Sequence, residues 1–201
     1  AVHKPEGLAA IPERDPSRPS ARRLLEAARG ERLWVVHRLD KEASGVLLFA
    51  RNAEAHRYMN TLFEQRQVRK VYRALVHGRL EPGQGQIRAP IRMYGSGRMG
   101  VDPERGKPSE TRYRVLEYLD EAYSLIEALP LTGRRHQIRV HCYHIGHPIV
   151  GDPRYGDRSV QQLEIVAPVP ESFQQVLDAL RTELAASTTD HSATTSSPSS
   201  T

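Results

Sequence analysis

A strand-turn-strand signal near the middle of the chain constrains its fold more than any other feature. Residues 110–119 alternate apolar and polar side chains, and a second strand-like run, 123–129, follows after a short turn at 119–122. Two strands joined by so short a turn pair antiparallel, whereas the parallel strands of a doubly wound sheet need a long crossover. The sequence therefore predicts an α+β fold built on locally paired strands.

The rest of the chain shows equally simple signatures of helices and strands. Ser20 and Asn52 have side chains suited to N-caps, and Gly30 and Gly146 are suited to ending helices. Short apolar runs between polar turns are typical of buried strands. The predicted elements are helices over 20–29, 52–66, 135–145 and 171–185, strands over 33–36, 45–50 and 69–77, and loops with a short hairpin over 78–107.

The composition divides the chain into one domain and a tail. Residues 1–186 contain every predicted element, whereas residues 187–201 are mostly Ser and Thr. Such a segment buries too little apolar surface to offset the entropy of ordering, so we predict that the tail is disordered. Because the chain starts with Ala1 and not with Met, we expect an N-terminus that is truncated or processed.

The charge of the chain indicates an anionic partner. Lys and Arg number 29 against 24 Asp and Glu, and 25 of the 29 are Arg, whose planar guanidinium suits phosphate contacts and stacking on bases. Nucleic acid is therefore the first candidate partner. The alternative is a soluble enzyme whose positive charge has no role in binding. No apolar run reaches the roughly 20 residues that a membrane span needs. The single cysteine, Cys142, excludes an internal disulfide, so a cytoplasmic protein is expected.

Asp40 lies in the predicted loop 37–44, between two apolar strands. Arg38 stands two residues before it, and a Ser-Gly turn at Ser44-Gly45 follows. Loops held by rigid strands commonly present reactive groups, which makes Asp40 a candidate catalytic carboxylate. The alternative is a surface turn in which the aspartate accepts hydrogen bonds from backbone amides.

Tyr72 lies on a predicted strand between two cations, Lys70 and Arg73. Its ring can stack on a base while the cations contact phosphate. The alternative is a tyrosine that packs in the core or against a neighbouring strand.

Arg135 and Arg139 lie one turn apart on the predicted short helix. Two arginines on one helical stripe repel each other unless an anion lies beside them, and either phosphate or a carboxylate such as Asp40 can be that anion. A solvated basic helix face is the alternative.

Four histidines at positions 136, 141, 144 and 147 have spacings that occur in zinc sites. The run lacks a general-base glutamate and is interrupted by Gly146 and Pro148, so we expect no metal here. A metal-dependent hydrolase built on this run remains a third hypothesis.

Together and in this order, the motifs resemble the RluA-type pseudouridine synthase family, whose members isomerise uridine in RNA. The resemblance covers about residues 3–180. It is carried by Lys4-Pro5-Glu6-Gly7, His37-Arg38-Leu39-Asp40 with Ser44-Gly45, Lys70-Val71-Tyr72-Arg73-Ala74, Gly133-Arg134-Arg135-His136-Gln137-Ile138-Arg139-Val140-His141, and Gly146-His147-Pro148 through Gly151-Asp152-Pro153 with Tyr155-Gly156.

The resemblance implies the catalytic fold of pseudouridine synthases for residues 1–186, a mixed and largely antiparallel sheet with flanking helices and a central cleft. It implies that Asp40 is the catalytic carboxylate, that Tyr72 stacks on the target base, and that Arg139 pairs with Asp40. Arg38 would fill the space left by a flipped nucleotide. It further implies a monomer that acts on structured ribosomal or transfer RNA without cofactor or metal. The further residues expected to contact RNA are His37, Lys70, Arg134, Arg135 and His136.

The chain departs from the family pattern in two places. Ala43 stands where the family usually has Thr. Only residues 157–166 separate Gly156 from Ala167, where the family carries a few dozen more residues, including a Leu-His-Ala strand that lines the site. A catalytically degenerate RNA-binding module of the same fold is therefore the alternative function.

Overall fold

The computed structural model describes residues 1–15 and 17–156. Four predictions fall outside these residues: the helix over 171–185, the tail over 187–201, the shortened segment after Gly156, and the domain boundary at residue 186. No helix in the described part of the chain is long and apolar enough to cross a membrane.

The described residues form ten strands and three helices. In chain order they are β1 (Val2–Lys4), α1 (Ala21–Arg29), β2 (Trp34–Val35), β3 (Gly45–Leu47), β4 (Phe49–Ala50), α2 (Ala53–Glu64), β5 (Tyr72–His77), β6 (Gln84–Arg88), β7 (Ile91–Met93), β8 (Met99–Val101), β9 (Glu110–Leu119), β10 (Tyr123–Pro130) and α3 (Gln137–His144).

A four-stranded antiparallel sheet is the centre of the fold. Its strand order is β5-β10-β9-β6, and the predicted hairpin of β9 and β10 starts where Leu119 pairs with Tyr123. Neighbouring strands β9 and β10 pair along almost their whole length, with one register irregularity between Leu125 and Ile126. The predicted α+β fold on locally paired strands is confirmed.

The predicted helix ends are confirmed at four positions. The side chains of Ser20 and Asn52 accept hydrogen bonds from backbone amides in the first turns of α1 and α2. Gly30 and Gly146 follow the ends of α1 and α3 with φ angles of 65° and 81°, in the left-handed region that glycine adopts without a steric penalty.

The loop that carries Asp40 lies between two small sheets. Strand β2 pairs with β4, and β1 pairs with β3. The prediction of one continuous strand over 45–50 is wrong, because the backbone N–H of Leu48 donates to Nε2 of His37 at 3.0 Å and separates β3 from β4. The chain therefore changes sheet at this residue.

Strand β6 lies in a segment that was predicted to contain only loops and a short hairpin. The hairpin is present as β7 and β8, but β6 pairs with β9 at the edge of the main sheet. Gly85 of β6 lies opposite Tyr113, and a Cβ added there would lie 2.7 Å from the Tyr113 hydroxyl. This glycine permits a close approach of a ring to a strand, so it does not mark a turn.

Helix α3 begins at Gln137, two residues later than predicted. His136 has a φ of 55°, which is outside the helical region, and the Gln137 side chain fixes the preceding turn. Its Oε1 accepts from Thr132 Oγ1 at 2.7 Å and from the Arg134 N–H at 2.9 Å. The start of α3 is therefore set by a buried side-chain amide and not by an N-cap.

Two apolar clusters hold α3 in place. Cys142 packs with Val76 and Ile126 of the main sheet, and Val140 packs with Met99 of β8 and with Tyr155. Burial raises the pKa of Cys142 to about 12, so its thiol is an inert packing group. These contacts fix the orientation of the helix that carries Arg139.

A cavity of about 380 Å³ lies between β6 and the end of α3. Leu80, Tyr113, His144 and His147 are among the residues that line it, and no predicted site residue is among them. The central cleft of the predicted fold therefore stays a prediction.

His141 of α3 gives the fold a pH-dependent stability. It is fully buried, its Nδ1 lies 2.9 Å from Thr111 Oγ1 and its Nε2 lies 3.0 Å from the Ala89 carbonyl oxygen. Burial lowers the pKa of His141, partly opposed by the bond to Ala89, so the folded state keeps the ring neutral. The unfolded chain binds a proton below pH of about 6.5. The stability due to neutral His141 is thus full above that pH and decreases below it.

We expect the parent to lose more unfolding free energy than a His141→Gln variant when the pH falls from 7.5 to 5.5. At pH 7.5 the variant is expected to be less stable by about 1–3 kcal/mol, because it leaves buried polar groups imperfectly paired. Urea unfolding followed by circular dichroism at both pH values measures the two differences. Parallel pH profiles for parent and variant would contradict this role of His141.

Candidate active site

A buried lysine, Lys4, binds the backbone of the Asp40 loop. The side chain of Lys4 is 1% exposed, and its ammonium donates to the carbonyl oxygens of Leu8 at 2.7 Å and Lys41 at 3.3 Å. Burial lowers the pKa of Lys4, whereas the negative charges of Glu42 and Asp40 raise it. This cation therefore fixes the backbone next to Asp40.

Arg139 is the centre of the site and contacts three carboxylates. Its Nε and Nη2 donate to both oxygens of Asp152, at 2.6 and 2.8 Å. Its Nη1 donates to Oδ2 of Asp40 at 3.3 Å and to Oε2 of Glu42 at 3.0 Å. The predicted contact between Asp40 and Arg139 is present although 99 residues separate the two. The two-pronged contact, however, is with Asp152.

The burial of these groups decides which contact is strongest. The side chain of Asp152 is 3% exposed and that of Arg139 is 11% exposed, compared with 21% for Asp40 and 43% for Glu42. A hydrogen-bonded pair that is shielded from water interacts more strongly than one in contact with water. Asp152 therefore determines the position of Arg139, and Arg139 then presents one nitrogen to Asp40.

Asp152 is held by the backbone as well as by Arg139. Its Oδ1 accepts from the N–H groups of Arg154 at 2.9 Å and Tyr155 at 3.0 Å. Burial raises the pKa of Asp152, but the bonds from Arg139 and from these amides outweigh it, so the net pKa is lowered. Burial likewise lowers the pKa of Arg139, and the three carboxylates, Asp152 first, raise it overall. Both groups are therefore charged at neutral pH.

His136 lies beside Asp40 but does not provide a second cation. Its Nε2 is 4.0 Å from Asp40 Oδ1, which is too long for a hydrogen bond, and its Nδ1 is 2.8 Å from the Tyr155 hydroxyl. Burial lowers the pKa of His136, and the charge of Arg139 adds to this while that of Asp40 opposes it. A neutral imidazole at this position leaves Asp40 paired with Arg139.

Tyr72 is the first residue of β5 and packs between two apolar clusters, one on the main sheet and one beneath the Asp40 loop. Burial raises the pKa of Tyr72, and the negative charge of Asp40 raises it further. The phenol therefore keeps its proton at neutral pH and lies close enough to Asp40 to be affected by its charge.

Two of the predicted RNA-contacting residues also hold the fold together. Nε2 of His37 accepts a hydrogen bond from the Leu48 N–H. The His37 ring stacks on the Phe63 ring, with 5.3 Å between the ring centres. The ammonium of Lys70 donates to the Thr132 carbonyl oxygen at 3.0 Å. Burial lowers the pKa of His37 and of Lys70. The structure thus gives both side chains protein partners, and their contact with RNA stays a prediction.

The three predicted arginines outside the catalytic pair are more accessible. Arg38 and Arg135 are exposed, and Arg134 is half-buried with its Nε donating to the Pro108 carbonyl oxygen at 3.3 Å. Their guanidinium groups remain able to contact phosphate, and this role also stays a prediction.

The histidine run does not converge on one point. His136 binds Tyr155, His141 binds Thr111 and Ala89, and His147 binds the His77 carbonyl oxygen. Within residues 1–15 and 17–156, no group of three or more His, Cys, Asp or Glu side chains is placed to hold a metal ion. The geometry thus gives the hydrolase hypothesis no site.

Sequence reasoning missed the roles of Asp152, Glu42 and Tyr155. Asp152 and Tyr155 belong to the motif after α3, yet a carboxylate in a turn indicates only that it accepts backbone amides. Glu42 follows Asp40 by two residues, and nothing in the local sequence shows that both reach the same guanidinium nitrogen. These contacts become visible only once α3 lies over the loop.

Comparison with known proteins gives one consistent family. A family model described as RNA pseudouridylate synthase matches residues 1–144. The chain is 37% identical over 212 residues to a ribosomal large subunit pseudouridine synthase C of Vibrio vulnificus, a match that covers 90% of this chain and 64% of that protein. It is 38% identical over 161 residues to a dual-specificity RNA pseudouridine synthase RluA of the same organism, covering 77% and 64%. The chain thus spans less than two thirds of the length of these curated relatives.

Comparison with solved structures supports the same family. The fold is similar to that of human RNA pseudouridylate synthase domain containing 1, with a TM-score of 0.62 and 36% identity over 70% of this chain and 61% of that one. The family model covers the Asp40 loop, Tyr72 and Arg139. The chain therefore belongs to the RNA pseudouridylate synthase family, in its RluA-type branch.

Proposed function

We propose that this protein converts uridine to pseudouridine in RNA, with Asp40 as the reacting carboxylate. The observation that carries the proposal is the contact of Asp40 with the largely buried Arg139 at 3.3 Å. The guanidinium donates a hydrogen bond to one oxygen of the carboxylate and so orients it. An ionised aspartate is what a reaction at the ribose of a nucleotide requires.

The reaction breaks the N1–C1′ glycosidic bond, turns the uracil and joins C5 to C1′. The C5 proton leaves and N1 gains a proton, so substrate and product are isomers and no external oxidant or reductant is needed. Asp40 acts at the ribose, either as the nucleophile at C1′ or as the base that removes a ribose proton, and its negative charge stabilises cationic character at C1′. Arg139 keeps the carboxylate oriented throughout.

A uridine inside folded RNA must leave its stack before Asp40 can reach C1′. Extrusion of a base costs a few kcal/mol. Stacking on an aromatic ring contributes about 1–3 kcal/mol per base, and Tyr72 is the ring proposed to provide this contact. The exposed Arg38 would fill the vacated space, and Arg134 and Arg135 would hold phosphates. These interactions offset most of the cost of extrusion.

The proposal extends to the substrate and the state of the enzyme. Structured ribosomal or transfer RNA is the proposed partner, and His37, Lys70 and His136 are proposed to contact it. The enzyme would act as a monomer in the cytoplasm without a metal ion. The excess of arginine over lysine and the single buried cysteine are consistent with an RNA enzyme of a reducing compartment.

The test is release of tritium from RNA that is labelled at C5 of uridine, followed by mapping of the modified positions. The purified protein is expected to release label from total bacterial RNA, because C5 exchanges its proton for the bond to C1′. The Asp40→Asn variant provides the background. Salt-dependent RNA binding without label release, even at equimolar protein, would contradict the proposal and support the RNA-binding module.

Tyr72 provides a second prediction for the same assay. The Tyr72→Phe variant keeps the ring, so we expect its RNA affinity to stay within about threefold of the parent's, whereas Tyr72→Ala weakens binding by about 1–3 kcal/mol. If the phenol takes part in removal of the C5 proton, Tyr72→Phe slows tritium release by about 10²-fold. Fluorescence anisotropy and initial rates separate the two effects. Equal affinities of the Phe and Ala variants would contradict a stacking role.

A further inference from the structure

A second surface suited to RNA lies next to the candidate active site. It consists of Tyr94 and Arg98 on the β7–β8 hairpin and Tyr143 on α3, which we call the tyrosine–arginine surface. The guanidinium carbon of Arg98 lies 5.7 Å from the centre of the Tyr143 ring and 5.3 Å from that of the Tyr155 ring. Tyr94 and Tyr143 are 40% and 48% exposed, so part of each side chain is accessible to a ligand.

The hairpin that carries this surface is tightly held. The Tyr94 hydroxyl donates to the Val101 carbonyl oxygen at 3.1 Å, and the Arg92 guanidinium lies over the ring at 5.0 Å. A Cβ on Gly100 would lie 2.8 Å from the Tyr94 ring, so the ring lies against bare backbone. A ring that is fixed in this way loses little further side-chain entropy when a base stacks on it.

Tyr155 joins the tyrosine–arginine surface to the reacting groups. Arg98 and Arg139 lie 5.3 and 5.1 Å from the centre of its ring, so the two guanidinium carbons are at most about 10.4 Å apart. Stacked nucleotides rise by about 3.4 Å each, so this upper limit corresponds to at most about three stacked nucleotides. A strand whose target uridine is at Asp40 reaches this surface within a few residues.

The chemistry of the surface favours a nucleobase over a protein side chain. Arg98 lies near the centres of two rings, of which that of Tyr143 is accessible and that of Tyr155 is buried. Arg154 reaches the hairpin turn through a 3.4 Å bond to the Gly97 carbonyl oxygen. Aromatic faces interleaved with guanidinium groups stack bases and contact phosphate, without selecting one base. The surface also lies near the site proposed to act on RNA, because Arg98 and Arg139 both contact the buried ring of Tyr155.

We propose that the tyrosine–arginine surface stacks an unpaired nucleotide of the substrate RNA, a few positions along the strand from the target uridine. This inference rests on the proposed function for the identity of the substrate. The target base itself stacks on Tyr72, so the two aromatic contacts hold two different nucleotides of one strand. Tyr143 provides the ring, Arg98 provides the charge beside it, and Tyr94 fixes the hairpin that carries Arg98.

The test measures RNA binding, which does not depend on turnover. Fluorescence anisotropy is recorded with a labelled 12-nucleotide oligouridine for the parent, Tyr143→Ala, Tyr143→Phe and Tyr143→Leu. Tyr58→Ala is the matched control, because Tyr58 is 64% exposed on α2 and belongs to no proposed contact. Tyr143→Ala is expected to weaken binding by about 5- to 100-fold, and Tyr143→Phe to restore it to within about twofold. Thermal unfolding confirms that each variant is folded.

Two outcomes would overturn the proposal. One is an equal effect of Tyr143→Ala and Tyr58→Ala, and the other is rescue by Leu as complete as rescue by Phe, since apolar area without a ring cannot stack. Tritium release distinguishes failure of this inference from failure of the proposed function. A parent that binds oligouridine through Tyr143 but releases no label would leave the surface in place and remove the reaction. If the parent releases label while Tyr143→Ala binds oligouridine normally, the proposed function stands and the tyrosine–arginine surface is not a nucleotide site.

Discussion

The Asp40→Asn variant is expected to release C5 tritium from RNA at least about 10³-fold more slowly than the parent, with RNA affinity unchanged within about threefold. The carboxamide is close to isosteric and can still accept a hydrogen bond from Arg139 Nη1, so the loop keeps its conformation. It is, however, neither a nucleophile nor a base, and loss of a reacting group in covalent catalysis costs several powers of ten. Initial rates at saturating RNA, with anisotropy on the same preparations, measure the two quantities.

Glu42→Gln is the matched control for this variant. Glu42 lies on the same loop, contacts the same guanidinium nitrogen at 3.0 Å and loses the same charge on substitution. We expect it to slow the reaction by no more than about tenfold, because its carboxylate is 43% exposed and has no proposed role at the ribose. Because an asparagine at position 40 can deamidate to aspartate and restore activity, the Asp40→Ala variant is measured as well. If Asp40→Asn is as fast as the parent, or if Glu42→Gln is equally slow, Asp40 is not the reacting carboxylate.

Local chemistry made the helix ends and the central hairpin predictable. Ser20, Asn52, Gly30 and Gly146 determine helix ends through contacts within a few residues, and a short turn leaves β9 and β10 no partner nearer than each other. Strand β6 was missed because Gly85 was interpreted as a loop residue. Its small size serves instead the ring of Tyr113 on the neighbouring strand. The structural role of Gly85 thus depends on Tyr113, a side chain that is distant in sequence.

The candidate site shows the same limit more strongly. The pairing of Asp40 with Arg139 was expected from the order of motifs in a known family, and spacing alone left phosphate and carboxylate open as partners of the helix. The sequence could not show that Asp152 is a stronger partner of Arg139 than Asp40 is. The burial of Asp152 and its two bonds to Arg139 follow from the packing of α3 over the loop. Sequence patterns name the charged groups of such a site, and tertiary packing decides which of them share a bond.

The distribution of bonds on Arg139 has a chemical consequence. Its two shortest contacts go to Asp152, which is nearly inaccessible, while Asp40 receives a single bond of 3.3 Å. The other oxygen of Asp40 lies 4.0 Å from the nearest ring nitrogen of His136. Asp40 is thus oriented without having both oxygens engaged by Arg139 or His136, and one of them remains available to a substrate. Asp152 provides the rigidity that this arrangement needs.

The Asp152→Asn variant is expected to lose about 3–5 kcal/mol of unfolding free energy at pH 7, the cost of breaking a buried ion pair from one side. Its carboxamide nitrogen would meet the guanidinium donors of Arg139, where an oxygen now accepts at 2.6 Å. The pKa of Asp152 is lowered in the folded state, so its stabilisation is full above the unfolded value of about 3.9 and decreases as the pH falls through the lower folded pKa. Urea unfolding of both proteins between pH 8 and pH 3.5 should therefore give a constant difference that narrows only below pH of about 4.

Asp102→Asn is the control, because Asp102 also pairs with an arginine and accepts two backbone amides. It accepts one bond from its arginine where Asp152 accepts two, and it is more exposed. It binds Arg92 at 2.9 Å and accepts from the backbone amides of Glu104 and Arg105, but its side chain is 16% exposed. Since water screens this second pair more effectively, its loss should be clearly smaller at every pH. Equal losses for the two variants would show that burial does not strengthen the Asp152 pair. A difference between the unfolding free energies of parent and Asp152→Asn that is as large at pH 3.5 as at pH 7 would show that shape, and not charge, holds Arg139 over Asp40.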